Sequence, residues 1–351
     1  MAERKEVKKS VARRPVAKAV ANYFAAGETK DGMDFVSSGC ALIDNVIGGG
    51  YVLGRVVNIV GDKSSGKTLM AIEAFCNFLR AYPEGVARYA EAEAAFDVDY
   101  AEALGMPSDR VEFVGEKEGE LMETVEDFYE DLDAYIDRLK GRPGIYILDS
   151  LDALSDRAEQ KRKIDEGTFG GNKPKQLGQL FRRLNQKVEK SNVLLIVISQ
   201  IRDKIGVTFG ETKTRTGGKA LDFYASQIIW LAEIEKVKQT IDGIDRIIGV
   251  RVKAKCKKNK VGLPFRECEY PILFGYGIDD ITAGVEWLLD VKRDELLKEL
   301  GFTKAGYKLR IRNLRNKGGA EVQALRAQLR EAVTTEWRKI ETGFLPQAKK
   351  Y

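Results

Sequence analysis

Residues 61–68 read GDKSSGKT, a glycine, four residues, then Gly-Lys-Thr. That spacing suits polyphosphate: glycines let backbone N–H groups wrap phosphate oxygens, Lys67 can reach the β- and γ-phosphates, and Thr68 can give an oxygen to Mg²⁺. The candidate nucleotide cradle is therefore Gly61, Asp62, Lys63, Ser64, Ser65, Gly66, Lys67, Thr68 and Leu69. The apolar run RVVNIV precedes it and KTLMAIEAFCNFL follows it, so a strand leads in and a helix leads out. The helix N-terminus adds its positive dipole end to the site. A Gly/Ser turn could match the spacing by chance, but seldom with these flanks.

Magnesium beside such a loop needs a carboxylate at the end of another buried strand, and GIYILDS supplies Asp149. Thr68 and Asp149 are the candidate metal residues. Hydrolysis further needs a group that orients or deprotonates water. The chain has no histidine, so the task falls to a carboxylate. In ARYAEAEAAFD the candidates are Glu91 and Glu93, for either of which a solvated strand end is the ordinary alternative.

These residues need a frame. RVVNIVG, VARYAEAE, GIYILDS, NVLLIVIS and ASQIIWLAE are short apolar runs rich in β-formers, with helical patterns near 67–82, 121–140 and 176–190 between them. Buried strands alternating with helices predict an α/β fold with a mostly parallel sheet covered on both faces. After Lys236, DRIIGVRVKAKCKKNK and FRECEYPILFG lack intervening helices and are expected as antiparallel edge strands. Residues 1–36 read as a basic helix, about 10–26, with a linker. The core spans 37–280, and 281–351 forms a small C-terminal domain, its pattern helical near 283–351, with a basic tail.

The 351 residues, 44% hydrophobic, allow a sizeable core. No stretch approaches the ~18 apolar residues of a membrane span, and the N-terminus lacks the apolar segment of a secretory signal. A cytoplasmic protein without a membrane partner is expected. Cys40, Cys76, Cys256 and Cys268 have no CxxC spacing and read as packing residues. Net charge is +5, yet residues 1–20 carry seven Lys/Arg against two Glu while Glu116–Asp137 is acidic. Such asymmetry suits an anionic polymer or a self-associating surface, although a solvated face explains many charge runs.

One stretch fits no core: SQIRDKIGVTFGETKTRTGGKALDFYAS, residues 199–226, leaves a strand and crosses Gly, Thr, Lys and Arg with Phe209 stranded among them. Its polar majority cannot offset the entropy of ordering. It is expected to be a ligand-binding loop.

Taken in order, GDKSSGKT, AEAEAAFDVDYAEALG, YILDSLDAL, the 199–226 stretch and KKNKVGLPF resemble the RecA family of homologous-recombination ATPases in its bacterial form, over roughly residues 36–280. The 199–226 stretch is the most specific part. The resemblance implies a RecA-like P-loop NTPase core with a small N-terminal helical arm and a small C-terminal α/β domain. It implies ATP and Mg²⁺ as cofactors and Glu93 as the water-activating residue. Asp97 and Tyr100 would touch adenine, with Phe274 covering its other side. Gln200 would sense the γ-phosphate and begin the second DNA loop; the first loop would lie near Arg162–Gly171, including Lys163 and Gly167. Lys258 and Lys260 would reach a neighbouring protomer's ATP, although lysines guarding a solvated edge strand are the plain alternative.

The resemblance gives the 199–226 loop an occupant. Arg202, Lys204 and Arg215 can neutralise phosphates, Gly217 and Gly218 admit the backbone, and Phe209 can stack near bases, unless it folds back as a loop anchor. Implied partners are single-stranded DNA, homologous duplex DNA, further copies in a head-to-tail helical filament, and accessory single-stranded DNA-binding protein or recombination mediators. The implied activity is DNA-stimulated ATP hydrolysis with homologous pairing and strand exchange. A ring-forming helicase or translocase, or a nucleotide-switched mediator without strand exchange, uses the same core. Four features depart from the bacterial pattern: Lys63 where an acid is usual, Asp222 where lysine is usual, Phe274 for tyrosine, and a basic C-terminus.

Overall fold

The computed structural model describes residues 34–114, 121–160, 172–203, 213–215 and 218–346. The expected basic N-terminal helix, residues 347–351, and Arg162, Lys163, Gly167, Lys204, Phe209 and Gly217 lie outside these residues, as does the side chain of Arg202.

The strands are β1 (Phe35–Val36), β2 (Tyr51–Val52), β3 (Val56–Gly61), β4 (Val86–Glu91), β5 (Val111–Val114), β6 (Gly144–Asp149), β7 (Val193–Asp203), β8 (Lys213–Arg215), β9 (Gln227–Ile241), β10 (Ile244–Asn259), β11 (Glu267–Leu273) and β12 (Gly277–Ile278). The helices are α1 (Ala41–Val46), α2 (Lys67–Ala81), α3 (Val98–Ala103), α4 (Val125–Leu139), α5 (Arg157–Gln160), α6 (Asn172–Lys190), α7 (Gly218–Tyr224), α8 (Asp280–Asp290), α9 (Asp294–Glu299), α10 (Tyr307–Lys317) and α11 (Gly319–Gly343).

The main sheet runs β12-β11-β10-β9-β3-β7-β6-β4-β5. Strands β9, β3, β7, β6, β4 and β5 are mutually parallel, and β10–β12 extend the edge in antiparallel fashion. Every residue of β3 and β6 is buried, which is why these segments read as continuous apolar runs without alternation. One face of the sheet is covered by α1, α2 and the C-terminal helices; α4, α6 and α7 cover the other. Cys40, Cys256 and Cys268 are buried and Cys76 half-buried, all free. Burial pushes the Cys40 thiol up to about 12, so it serves packing rather than reactivity.

One expectation is corrected. From Asp280 to Gly343 the described chain is helical, without the strands of a small α/β domain. The buried apolar residues of α11, Val322, Leu325, Leu329, Val333 and Trp337, recur at spacings of three and four, the period of a helix face. They join the core cluster that α1 and β11 share, and the Arg330–Asp44 (2.6 Å) and Arg266–Glu341 (2.5 Å) ion pairs bracket the contact.

The long β9–β10 hairpin turns at Asp242 and Gly243, both at positive φ (50° and 76°), the left-handed pair a two-residue turn requires. Farther along β10, Gly249 lies against the backbone of β11: an added Cβ would run into the Ile272 carbonyl oxygen and sit 3.0 Å from the Leu273 Cα. Backbone cannot rotate aside as a side chain does. Gly249→Ala is therefore expected to destabilise the fold by roughly 2–3 kcal/mol, read as a lower urea midpoint; an unchanged midpoint would contradict this packing.

Candidate nucleotide site and the base of the 199–226 loop

Parallel sheets place ligands at the carboxyl ends of their strands, and four adjacent strands, β3, β7, β6 and β4, deliver the site residues there. Gly61 and Gln200 are register partners on β3 and β7, as are Glu91 and Asp149 on β4 and β6. Four segments far apart in sequence thus end on one rim.

The loop after β3 closes on itself. Ser65 Oγ donates to the Asp62 carbonyl at 2.8 Å, and Lys67 Nζ to the same oxygen at 2.7 Å. Gly66 at φ 85° begins α2 without any side-chain cap, so the first amides of this 15-residue helix face the loop's concavity. A Cβ at Gly61 would press on Ser65 Oγ and one at Gly66 on Ile272 Cδ1, and the positive φ of Gly66 favours glycine there whatever the side chains do. Burial holds the Lys67 ammonium below its ordinary value, against the pull of Asp149 and Glu93.

Thr68 Oγ1 donates to Asp149 Oδ2 at 2.8 Å, and the buried Tyr89 hydroxyl donates to the same oxygen at 3.0 Å. Burial pushes the Asp149 carboxyl up, while the Thr68 and Tyr89 hydrogen bonds oppose the shift. A hydroxyl and a carboxylate side by side are hard oxygen donors that fit Mg²⁺, which keeps several waters and takes phosphate oxygens for the rest of its shell. Among the described residues there is no cluster of three His, Cys, Asp or Glu that would hold a metal by protein ligands alone.

The two glutamates separate clearly. Glu91 Oε1 accepts from the backbone N–H groups of Ala95 and Phe96, the latter at 2.6 Å, and so shapes the turn after β4. Glu93 Oε1 accepts from the Ser150 hydroxyl and, at 2.8 Å, from Gln200 Nε2. The Gln200 backbone N–H donates to Asp152 Oδ2 at 2.6 Å. Tyr89, Ser150 and Asp152 were missed in the sequence. Ser150 and Asp152 follow Asp149 closely enough to have been suspected, whereas Tyr89 looks like any strand aromatic.

Asp97 caps α3 by accepting from the Tyr100 N–H at 2.9 Å. Tyr100 is 39% and Phe274 60% exposed, so both present free surface. The end of α3 (Ala103, Leu104) and the turn after Phe274 (Gly275, Tyr276) line one cavity. Lys63 is exposed in the phosphate loop, its N–H donating to Asp62 Oδ1 at 2.8 Å.

At the base of the 199–226 loop, β8 pairs with β7 through Ile201–Arg215, Arg202–Thr214 and Asp203–Lys213. Gly218 is the first residue of α7. The expectation for Arg215 is corrected: its side chain is 5% exposed, donating from Nε to Asn58 Oδ1 at 2.6 Å and from a terminal nitrogen to Asp222 Oδ1 at 2.7 Å. With its guanidinium committed to two internal partners, Arg215 presents no exposed charge to phosphate in this arrangement. Lys258 Nζ donates to the Asp222 and Phe223 carbonyl oxygens, the latter at 3.0 Å, and Lys260 Nζ to Phe223 O at 3.2 Å. Both ammonium groups therefore rest on the C-terminal carbonyls of α7.

A family model described as the RecA N-terminal domain matches residues 11–279. Protein RecA of Staphylococcus carnosus is 38% identical over 257 residues, 72% of this chain and 68% of that protein. Protein RecA of Limosilactobacillus reuteri is 40% identical over 244 residues, covering 69% and 63% of the two chains, and Protein RecA of Staphylococcus aureus strain JH9 is 37% identical over 256 residues, covering 71% and 69%. Matched over most of its length by that family model and by these relatives, and carrying the phosphate loop, the buried Asp149 and the Glu93–Gln200 pair on neighbouring strands, the chain belongs to the RecA family.

Proposed function

We propose that this RecA-family chain is an ATP-dependent recombinase that assembles head to tail on single-stranded DNA, hydrolyses ATP when DNA is bound, and pairs the strand with a homologous duplex. The carrying observation is the 2.8 Å hydrogen bond from Gln200 Nε2 to Glu93 Oε1. It joins the carboxylate best placed to activate water to the residue at which the 199–226 loop departs from the sheet. Family membership and the four strand-end residues support the reading.

In this scheme the amides of residues 62–69 and the Lys67 ammonium bind the β- and γ-phosphates. Thr68 and Asp149 would hold Mg²⁺, whose positive charge offsets charge developing on the transferred phosphoryl group. Glu93 orients and deprotonates the attacking water. Gln200 changes partner when a γ-phosphate arrives and so reports nucleotide state to the loop. Phosphate and base contacts from Arg162, Lys163, Arg202, Lys204 and Phe209 read backbone and π-faces, which leaves sequence reading to base pairing. DNA as substrate implies work in the cytoplasm or nucleoid. Among the described residues no helix is long and apolar enough to cross a membrane.

Electron microscopy of the protein with single-stranded DNA and a non-hydrolysable ATP analogue tests the reading. Helical threads are expected; closed rings would replace it with a translocase, and isolated particles with a mediator.

The lysine pair adds a pH signature. Burial pushes the Lys258 ammonium down to about 8, helped by the positive Lys260 and Arg215 and opposed by Asp222. A Lys258 held by a neighbour's phosphate keeps its proton, so above pH 8 assembly must take one up. ATP-dependent assembly is expected to weaken as pH rises beyond 8, by up to about tenfold per unit, and to be flat with respect to this group below it. The same group affects folding with the opposite sign, because the unfolded lysine binds the proton more tightly and stability rises with pH in that window. Light scattering between pH 7 and 9.5 reads the assembly term. Lys258→Arg, which stays charged, should flatten it; an equally steep profile would remove Lys258 from the interface.

A further inference from the structure

Arg215 and Asp222 are the pair that the phosphate loop, the metal carboxylate and the DNA contacts leave without a role. A guanidinium is seldom buried unless its charge is paired and its donors are used. Arg215 meets that condition between two elements: Asn58 lies on β3, three residues before Gly61, and Asp222 lies on α7. Asn58 is fully buried and committed on its other side, its Nδ2 donating to the Val197 carbonyl at 2.8 Å and to Ser199 Oγ at 3.0 Å. Its amide therefore has a single orientation, and that orientation fixes the guanidinium against β3 and β7 together.

The two directions out of this cluster lead to the two ends of the function. On the sheet side, Gly61 opens the phosphate loop and Ser199 precedes Gln200, which touches Glu93. On the helix side, the backbone carbonyls of Asp222 and Phe223 carry the Lys258 and Lys260 ammonium groups. Arg215 itself is the residue through which β8, the returning end of the loop, is paired to Ile201.

We propose that Arg215 is a positioning residue: with Asn58 and Asp222 it latches the returning end of the 199–226 loop to the phosphate-loop strand, and sets how strongly DNA binding is coupled to ATP turnover. The proposal rests on the recombinase reading. It gives the charge at 222 a purpose, since a carboxylate there both accepts from the inward guanidinium and offsets its charge. A lysine at 222 would set two cations against each other.

The test measures ATP turnover by the full-length protein against poly(dT) concentration, with nucleotide affinity from a fluorescent ATP analogue. For Arg215→Met the half-stimulating poly(dT) concentration is expected to rise about tenfold, and for Asp222→Asn about threefold. DNA-free turnover and nucleotide affinity should stay within about twofold in both. The double variant should be no worse than Arg215→Met, because one latch cannot be broken twice. Asp222→Glu, whose carboxylate still reaches, should behave as the parent.

A direct phosphate contact by Arg215 predicts something else: a salt dependence of DNA binding reduced by about one counterion, and tighter binding when the negative charge at 222 is removed. That pattern, full additivity of the two substitutions, or an Arg215→Met response within twofold of the parent would overturn the latch. Should Arg215→Met fail to fold, Asp222→Asn decides alone by the sign of its effect, since its side chain is 58% exposed. A parent protein whose turnover ignores poly(dT) would instead overturn the recombinase reading, and the coupling role with it.

Discussion

Glu93→Gln is expected to lower DNA-stimulated ATP turnover between about 10² and 10⁴-fold, the range a positioned general base supplies, while leaving nucleotide binding and DNA-bound filaments in place. The reason is local. Glutamine keeps the oxygen that accepts from Ser150 and from Gln200 Nε2, so the contact between catalytic residue and loop survives and only the proton-accepting charge is lost. Phosphate binding rests on residues 61–69, none of which touches Glu93 through a hydrogen bond. Single-turnover hydrolysis together with filament imaging checks both halves. Turnover within threefold of the parent would return the water-activating role to another carboxylate, and loss of filaments would show that the charge holds the assembly rather than the chemistry.

The same pair of glutamates shows where sequence reasoning stops. GDKSSGKT between an apolar run and a helical pattern announces both its shape and its ligand, because the chemistry depends on local backbone. Strands β3, β6 and β7 were legible for a related reason: burial on both faces leaves continuous apolar runs. Glu91 and Glu93 sit two apart at a strand end, however, and nothing local says which bonds to a turn and which faces Gln200. That choice belongs to the packing of β4 beside β6 and β7. The family resemblance pointed to Glu93, and Glu93 is the one of the two whose carboxylate accepts from Gln200.

Arg215 was misread through the same gap. In a stretch of Gly, Thr and Lys an arginine looks solvated, and its actual partner, Asn58, is 157 residues earlier on a strand whose other members are apolar. The one available signal was Asn58 itself, a polar residue in the middle of a buried run, which must find hydrogen bonds somewhere. The Asp242–Gly243 turn went unread, although an Asp-Gly pair between two β-rich segments is the usual hairpin signal. The helical C-terminal part is legible in the spacing of Val322, Leu325, Leu329 and Val333, a local pattern that outweighs the α/β expectation drawn from the resemblance.

Replacing both Lys258 and Lys260 by Ala is expected to lower DNA-stimulated turnover about a thousandfold, the lower range for a cation supplied across an interface, with nucleotide binding by the free protein unchanged. In the isolated chain the two ammonium groups only cap the carbonyls of α7, and cations at a helix C-terminus contribute roughly 0.3–1 kcal/mol each. Loss of fold therefore cannot account for so large an effect. What distinguishes a shared site from an internal one is mixing. In a head-to-tail assembly each site takes its glutamate from one protomer and its lysines from the next. Equal amounts of Glu93→Gln and the double lysine variant, each inactive alone, then create about one competent interface in four, wherever a lysine variant holding ATP meets a Glu93→Gln neighbour. Turnover should recover toward a quarter of the parent value. If Lys258 and Lys260 act within their own protomer, no mixture contains an intact site, and turnover stays at the level of the separate variants.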